Sequence, residues 1–562
     1  MLAAKTNIPV KLKAAVTFIL TLYISLKGIF HHTGAEVQSA NKMKDLSAGL
    51  RWLCGKFFFW KDTAKPDLAT MEHYNVLIVG AGLSGIGAAA RLRMECPDKS
   101  FAILEGRAAL GGTWDLFRYP GIRSDSDMHT LGYRFRPWNN PQAIADGPAI
   151  LEYIRETAAA FGLDEKIRYS HRVQRASWST AEARWTVEAE TEHSMVRVTC
   201  DFLYLCTGYY DYESGYTPEW AGMERFRGRI VHPQKWTEDI AYTGRRVVVI
   251  GSGATAVTLV PAMAEHAAHV TMLQRSPTYI VARPATDKIA NGLRAVLPAK
   301  AAYALTRWKN VLLGTFFYNL ARKRPSVMKG LIAKGVKKEL GEKYDLKHFT
   351  PDYNPWDQRL CLVPDSDLFR ALREGRAAIV TDHIETFTET GLQLKSGAHL
   401  DADIIVTATG LVLKLMAGLQ LVVDDRPVEM SQTLAYKGMM YSDVPNLASA
   451  FGYTNASWTL KCDLTAEYVC RLLKYMDRQG YASCTPQVKD SSVEAEPILD
   501  FNSGYVLRAL ETLPRQGSKT PWRLHQNYVK DLSMLRYGRV NDGTMKFKTA
   551  PAALRPHGKA TG

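Results

Sequence analysis

The sequence predicts an α/β protein with two dinucleotide-binding domains, the second inserted into the first, and a helical cap. Three observations carry the prediction. The run YNVLIVGAGLSGIGAAARLR (74–93) passes from an apolar strand through three glycines into an Ala-rich helix. The run RRVVVIGSGATAVTLVPAMAEHAAHVTMLQRS (245–276) repeats that plan. Two further apolar stretches, FLYLCTG (202–208) and DADIIVTATG (401–410), end in Thr-Gly and read as buried strands that deliver the chain beside a nucleotide.

The composition agrees with this class. The 562 residues are 46% hydrophobic and 23% charged, enough for a large core and more than one domain. No low-complexity segment or fixed-period repeat occurs, which excludes solenoids and propellers. The net charge is +15, but zinc-finger spacing and RNA-recognition signatures are missing, so no nucleic-acid partner is expected. The eight cysteines, Cys54, Cys96, Cys200, Cys206, Cys361, Cys462, Cys470 and Cys484, include no C-x-x-C pair. That excludes a structural zinc site and a dithiol redox centre, and no metal is expected. Scattered thiols fit a reducing, cytoplasmic setting.

Residues 1–70 read as an extension that precedes the first domain. They hold ten Lys/Arg against four Asp/Glu. AAVTFILTLYISL (14–26) is too short for a membrane span of about 20 residues. With the aromatic cluster WLCGKFFFW (52–60) it is a candidate for contact with a membrane surface. The competing reading takes Met71 as the working start, because MEHYNVLIVGAG opens the first nucleotide-binding strand.

At the first turn Gly80, Gly82 and Gly85 stand in G-x-G-x-x-G. The first glycine makes the tight turn, the second lets a pyrophosphate approach, and the third packs helix on strand. The helix N-terminus offers free N–H groups to the phosphates. A second strand, FAIL, leads to Glu105, which can accept hydrogen bonds from a ribose diol. At the second turn Gly251 and Gly253 take the first two glycine positions and Ala256 the third. Its second strand ends at Arg275 where an acid would select NADH. An arginine pairs with a 2′-phosphate, so this domain should take NADPH. The order of elements predicts the nucleotide domain parts 71–210, 211–282, 355–397 and 398–545. Between them lies a Lys/Arg-rich helical insertion at 283–354, and a tail follows at 546–562.

Two further motifs are chemical. GGTWDLFRYPGIRSD (111–125) fits G-G-x-W-x-x-x-x-Y-P-G-x-x-x-D, and FRGRIVHPQKW (226–236) fits F-x-G-x-x-x-H-x-x-x-W through Phe226, Gly228, His232 and Trp236. This pair resembles the fingerprints of the type I Baeyer–Villiger flavin monooxygenases. YNPWDQRLCLVP (353–364) and GYTNASWTL (452–460) look most like the branch containing the ethionamide-activating monooxygenase. The likeness spans about 71–545, with one small departure at Thr237, where the family often has Pro or Asp.

The resemblance implies FAD in the first domain and NADPH in the second. It implies reduction of the flavin by NADPH and addition of O2 at the flavin C4a position. A ketone is then oxidised to an ester or lactone, and a sulfide to a sulfoxide. A flavin monooxygenase acting mainly on sulfur or nitrogen is the nearest alternative; an NADPH-sensing interaction protein is a remote one. By the same resemblance Arg359 is the active-site cation and Asp125 the carboxylate that orients it near both cofactors. Ser84, Thr113, Trp114, Leu116 and Val173 match positions that line FAD. Arg123 and Ser124 match the stretch facing NADP, and Ser252, Thr255 and Ser276 flank its phosphates. His232 and its motif belong to the hinge between the domains. Trp458 is a candidate wall of the substrate pocket.

Overall fold

The computed structural model describes residues 71–342, 344–499 and 503–549. The extension 1–70, with its candidate membrane segments, lies outside the described residues.

Strand β1 (Glu72–Val79) ends in four buried aliphatic residues, and helix α1 (Leu83–Glu95) follows at once. The helix is rich in Ala and Gly, and nine of its thirteen residues are buried. Such small side chains let a helix lie close to a sheet on one face and to another element on the other. Strands β2 (Phe101–Leu104), β3 (Ile167–Arg168), β4 (Arg172–Ser179), β5 (Arg184–Glu190) and β6 (Met195–Leu205) complete the early part of the first sheet. β1 pairs in parallel with both β2 and β6, which places it at the centre. The chain then leaves this sheet through β7 (Tyr210–Gly215).

The second sheet begins with β8 (Arg229–Val231) and β9 (Arg246–Ile250). Helix α2 (Ala254–Met263) leads to β10 (His269–Gln274). A parallel pair, β11 (Ile280–Arg283) and β12 (Cys361–Pro364), brackets the insertion. That insertion is helical: α3 (Lys288–Val296), α4 (Ala299–Lys323) and α5 (Pro325–Leu340). Helix α6 (Asp367–Arg373) and strands β13 (Ala377–Thr381) and β14 (Ile404–Thr407) finish the second domain. Its five strands run in the order β13-β10-β9-β14-β8, all parallel.

The chain returns through β15 (Leu411–Leu413), which pairs antiparallel with β7. The two crossings between the domains therefore lie side by side. Strands β16 (Gln420–Val423), β17 (Arg426–Pro427) and β18 (Leu447–Ser449) join the first sheet. Its order is β17-β16-β4-β5-β6-β1-β2-β3, with β18 beside β6. Helix α7 (Trp458–Gln479) then packs against α1. A last pair joins β19 (Tyr481–Pro486) to β20 (Met545–Thr549).

Two expected boundaries need correction. The expected boundary at 398 places residues 404–407 in the first domain, but β14 pairs with β8 and β9 in the second sheet. A fully buried apolar strand needs partners on both edges, and here both belong to the second domain. The crossing occurs at Gly410 instead. The expected tail at 546–562 begins too early, because β20 keeps residues 545–549 in a ladder with β19.

Candidate active site between two nucleotide-binding turns

The two glycine turns share one physical design. Gly80 has φ +104° and Gly251 φ +137°, conformations that L side chains rarely adopt. A Cβ on Gly80 would lie 2.6 Å from the Cys206 carbonyl oxygen, and one on Gly85 would lie 1.8 Å from that of Gly80. These glycines are required by the protein itself. The middle glycines are not. Gly82 has an ordinary φ of −77°, and the nearest atom to a Cβ there is 3.5 Å away. Gly253 also has φ −77°, and a Cβ there would meet nothing within 4 Å. Both open α-helices that begin without a side-chain cap. Their first N–H groups therefore face space that suits a phosphate. The residues present fit a dinucleotide at each turn.

Beside the first turn lies a cleft of about 840 Å³. Gly80, Gly82, Glu105 and Val173 line it, together with Arg107 and Tyr210. Glu105 is buried and accepts from the Ala81 N–H at 2.7 Å and the Arg107 N–H at 2.9 Å. Burial raises its pKa, and the two donors work against that shift.

A second cleft, of about 1400 Å³, continues from Gly82. Its walls bring together Ser84, Thr113, Trp114, Arg123, Ser124 and Asp125 from the first domain, and Thr255 and Arg359 from the second. Trp458 also lines it, donating its indole N–H to Ser84 Oγ at 2.9 Å. Arg123 pairs with Asp367 in the first turn of α6. Arg359 stands two residues before β12, and its Nη1 lies 3.3 Å from Asp125 Oδ2. The Asp125 charge raises the arginine pKa further, so the cation is permanent.

Arg359 also faces a third, mostly apolar pocket of about 530 Å³. Tyr209, Phe451, Trp458, Tyr505 and Leu513 line it. Trp458 stacks on Tyr209 with ring centroids 4.9 Å apart. Burial pushes the Tyr209 hydroxyl up to about 12, so it remains a proton donor at neutral pH.

Other expected residues stand away from these clefts. Leu116 packs against the core of the second domain. Ala256 is fully buried in the first turn of α2. Ser252 Oγ bonds the Ser276 carbonyl at 3.2 Å and Thr278 Oγ1 at 2.8 Å. Arg275 and Ser276 are exposed at the end of β10. In the hinge motif, Phe226 is buried against Phe387, and a Cβ on Gly228 would lie 2.4 Å from the Asp403 carbonyl oxygen. His232 holds the two crossings together. Its Nε2–H donates to the Gly410 carbonyl at 3.1 Å, while Nδ1 accepts from the Gln234 N–H at 3.2 Å. Its ring occupies the place a side chain on Gly215 would take. Burial lowers its pKa, which keeps it neutral. Trp236 meets Tyr242 edge-on.

The sequence reading missed Tyr209, Tyr210, Tyr212, Arg107 and Tyr505. The first three were detectable as the run TGYYDYESGY, since a strand ending in Thr-Gly delivers whatever follows it to the cleft. Tyr505 carried no signal, because its short helix (Gly504–Leu507) reaches the site only through the tertiary fold.

Comparison with known proteins agrees with this geometry. Residues 137–440 match the flavin-binding monooxygenase-like family, and residues 78–142 match an NAD(P)-binding Rossmann-like domain. The chain is 56% identical over 485 residues to the FAD-containing monooxygenase EthA of Mycobacterium tuberculosis, covering 86% of this chain and 99% of the relative. It is 48% identical over 479 residues to the probable FAD-binding monooxygenase AlmA of Acinetobacter baylyi, covering 85% and 96%. Among solved structures, an oxidised steroid monooxygenase bound to NADP superposes with TM-score 0.69 at 23% identity, covering 85% of this chain and all of that one. An open cyclohexanone monooxygenase superposes with TM-score 0.65 at 18% identity over the same shares. The chain belongs to the flavin-binding monooxygenase-like family, as a FAD-containing monooxygenase of type I Baeyer–Villiger-like architecture.

Proposed function

We propose that the protein uses NADPH and O2 to insert one oxygen atom beside a ketone carbonyl, giving an ester or lactone, and oxygenates sulfides at the same site. The observation that carries this reading is the Arg359–Asp125 pair, set where the large cleft meets the apolar pocket. FAD, when bound and reduced by NADPH, supplies the electrons and the site at which O2 is activated. The chain supplies everything else. Gly80, Gly82 and the start of α1 hold the flavin pyrophosphate, and Glu105 takes the ribose. Ser84, Thr113 and Trp114 line the flavin side of the cleft. Gly251, Gly253 and the start of α2 hold the NADPH pyrophosphate, with Thr255 facing the cleft and Arg275 for the 2′-phosphate.

Oxygen transfer to a carbonyl builds negative charge on the reacting oxygens. A fixed cation in a site poor in water stabilises that charge strongly, and a protonated general acid would lose its charge by giving up the proton. Arg359 is such a cation, and Asp125 fixes its direction. Tyr209, Phe451 and Trp458 exclude water and favour an apolar substrate. The test is Arg359→Ala. Hydride transfer from NADPH needs no cation at the reacting oxygens, so NADPH oxidation should persist and end in hydrogen peroxide. Ester formation should fall roughly a hundred- to a thousandfold, the cost of about 2.7–4 kcal/mol for one preorganised donor. Asp125→Ala should show a smaller loss of the same kind. Near wild-type ester yield from Arg359→Ala would overturn the assignment.

A further inference from the structure

The insertion exposes apolar surface that the proposed reaction does not use. Of the fourteen large hydrophobic side chains exposed among the described residues, eight fall between Ile289 and Leu331. On α4 they form a stripe: Ala301, Ala304, Leu305, Trp308 and Leu312 are all exposed and recur at helical spacing on one face. Leu305 is 54% exposed, and Trp308 and Leu312 are each 41% exposed. The opposite face of α4 is anchored. Arg307 Nη1 donates to the His129 and Gly132 carbonyls at 2.8 Å, and Asn310 Nδ2 donates to Asp127 Oδ1 at 2.8 Å. Turning the stripe inward would break these buried bonds and expose a buried guanidinium. The outward direction of the stripe is therefore built into the fold. The patch continues onto the C-terminal region, where Trp308 meets Tyr528 edge-on at 5.9 Å beside the exposed Val529.

The insertion as a whole is basic. Residues 283–340 hold thirteen Lys/Arg and only two Asp/Glu, a surplus of eleven positive charges. Both acids are engaged, Asp287 with Lys309 and Glu339 with Arg373. On α5, Val327 and Leu331 share an exposed face with Lys334 and Lys338, and Lys337 flanks them. We propose that this insertion is a peripheral docking surface for an anionic lipid bilayer, inserting the α4 stripe at the headgroup boundary while the lysines meet the lipid charge. A second copy of the chain is a poor occupant, because a shared face would bring two insertions of the same positive sign together. A nucleic acid would satisfy the charge and leave Leu305, Trp308 and Leu312 in water. A bilayer with anionic headgroups offers both chemistries at once.

The test is co-sedimentation of the full FAD-loaded chain with vesicles of phosphatidylcholine alone or of phosphatidylcholine and phosphatidylglycerol in a three-to-one ratio. The wild type should pellet with the anionic vesicles and less so as salt rises. The variant L305S/W308S/L312S should bind them at least tenfold more weakly while keeping its flavin and its NADPH oxidation. The variant K334E/K337E/K338E should lose the preference for anionic over neutral vesicles, and it serves as the deciding variant if the first does not fold. Any binding carried by residues 1–70 would be equal in wild type and variants. Unchanged binding by a folded variant therefore overturns the proposal. So does vesicle-independent self-association that L305S/W308S/L312S abolishes, which would assign the face to a second copy.

Discussion

Arg359 meets Asp125 only because the two domains face each other across a cleft, and its worth depends on holding its proton at every working pH. Arg275 is a different kind of arginine. It is exposed at the end of β10, where no described element covers it, and its expected partner is a 2′-phosphate. Arg275→Ala should cost about 1.5–3 kcal/mol of NADPH binding, the worth of a hydrogen bond to a charged group. That is roughly a ten- to hundredfold rise in KM for NADPH, with the constants for NADH almost unchanged; steady-state kinetics with both cofactors decide it. His232 acts through its neutral form, since Nδ1 must accept from the Gln234 N–H. Burial lowers its pKa below the ordinary imidazole value of about 6.5. The unfolded chain therefore binds this proton more readily than the folded one. Stability from this group is complete above that ordinary value and is lost as pH falls through it. Thermal melts between neutral and acid pH should show this decline, and it should be shallower in His232→Gln. An unchanged slope would show that His232 is not the group responsible.

Among the elements, the glycine turns make the sharpest prediction, because the three glycines of the first turn and the two of the second matter for different reasons. In Gly85→Ala the new Cβ would collide with the Gly80 carbonyl, so α1 must shift off β1 at a cost of about 1–3 kcal/mol, as overpacked cores do. In Gly253→Ala the new methyl meets no atom of the described residues within 4 Å. That variant should melt within about 1 kcal/mol of wild type, the scale of an ordinary capping change. Its NADPH affinity should nevertheless fall at least tenfold by direct titration, since the methyl occupies the space of the phosphate. Equal affinity in Gly253→Ala would mean that the pyrophosphate does not approach this turn. Helix α4 is also read by its two faces: one hydrogen-bonded to the segment that follows Asp125, the other apolar and exposed.

For the whole molecule, the two antiparallel crossings β7 and β15 connect the nucleotide domains, with His232 clasping both. The second domain is thus joined to the first by two paired crossings. Residues 1–70 lie ahead of all the contacts described for these domains, since β1 begins at Glu72. A chain starting at Met71 should retain its flavin and oxidise NADPH at a rate close to that of the full chain. Flavin absorbance of the purified protein checks this, and loss of FAD from the shorter chain would show that the extension completes the fold. Among the described residues no helix is long and apolar enough to cross a membrane.

The sequence by itself determined both glycine turns and the helical character of the insertion. These are local properties: strand, glycine spacing, helix and terminal acid or base all lie within one short window, and backbone sterics leave them few ways to fold. It also held the family fingerprints. The tertiary structure alone decided which sheet owns the strand Ile404–Thr407, because a buried apolar run of that length fits the centre of either parallel sheet and only its pairing chooses. It alone placed Tyr209 and Tyr505 on the pocket that Arg359 faces. It alone turned the Leu305, Trp308 and Leu312 face outward, since helical spacing defines a stripe but not its direction. Direction was settled by the polar contacts of Arg307 and Asn310 on the other side of the helix, which no periodicity encodes.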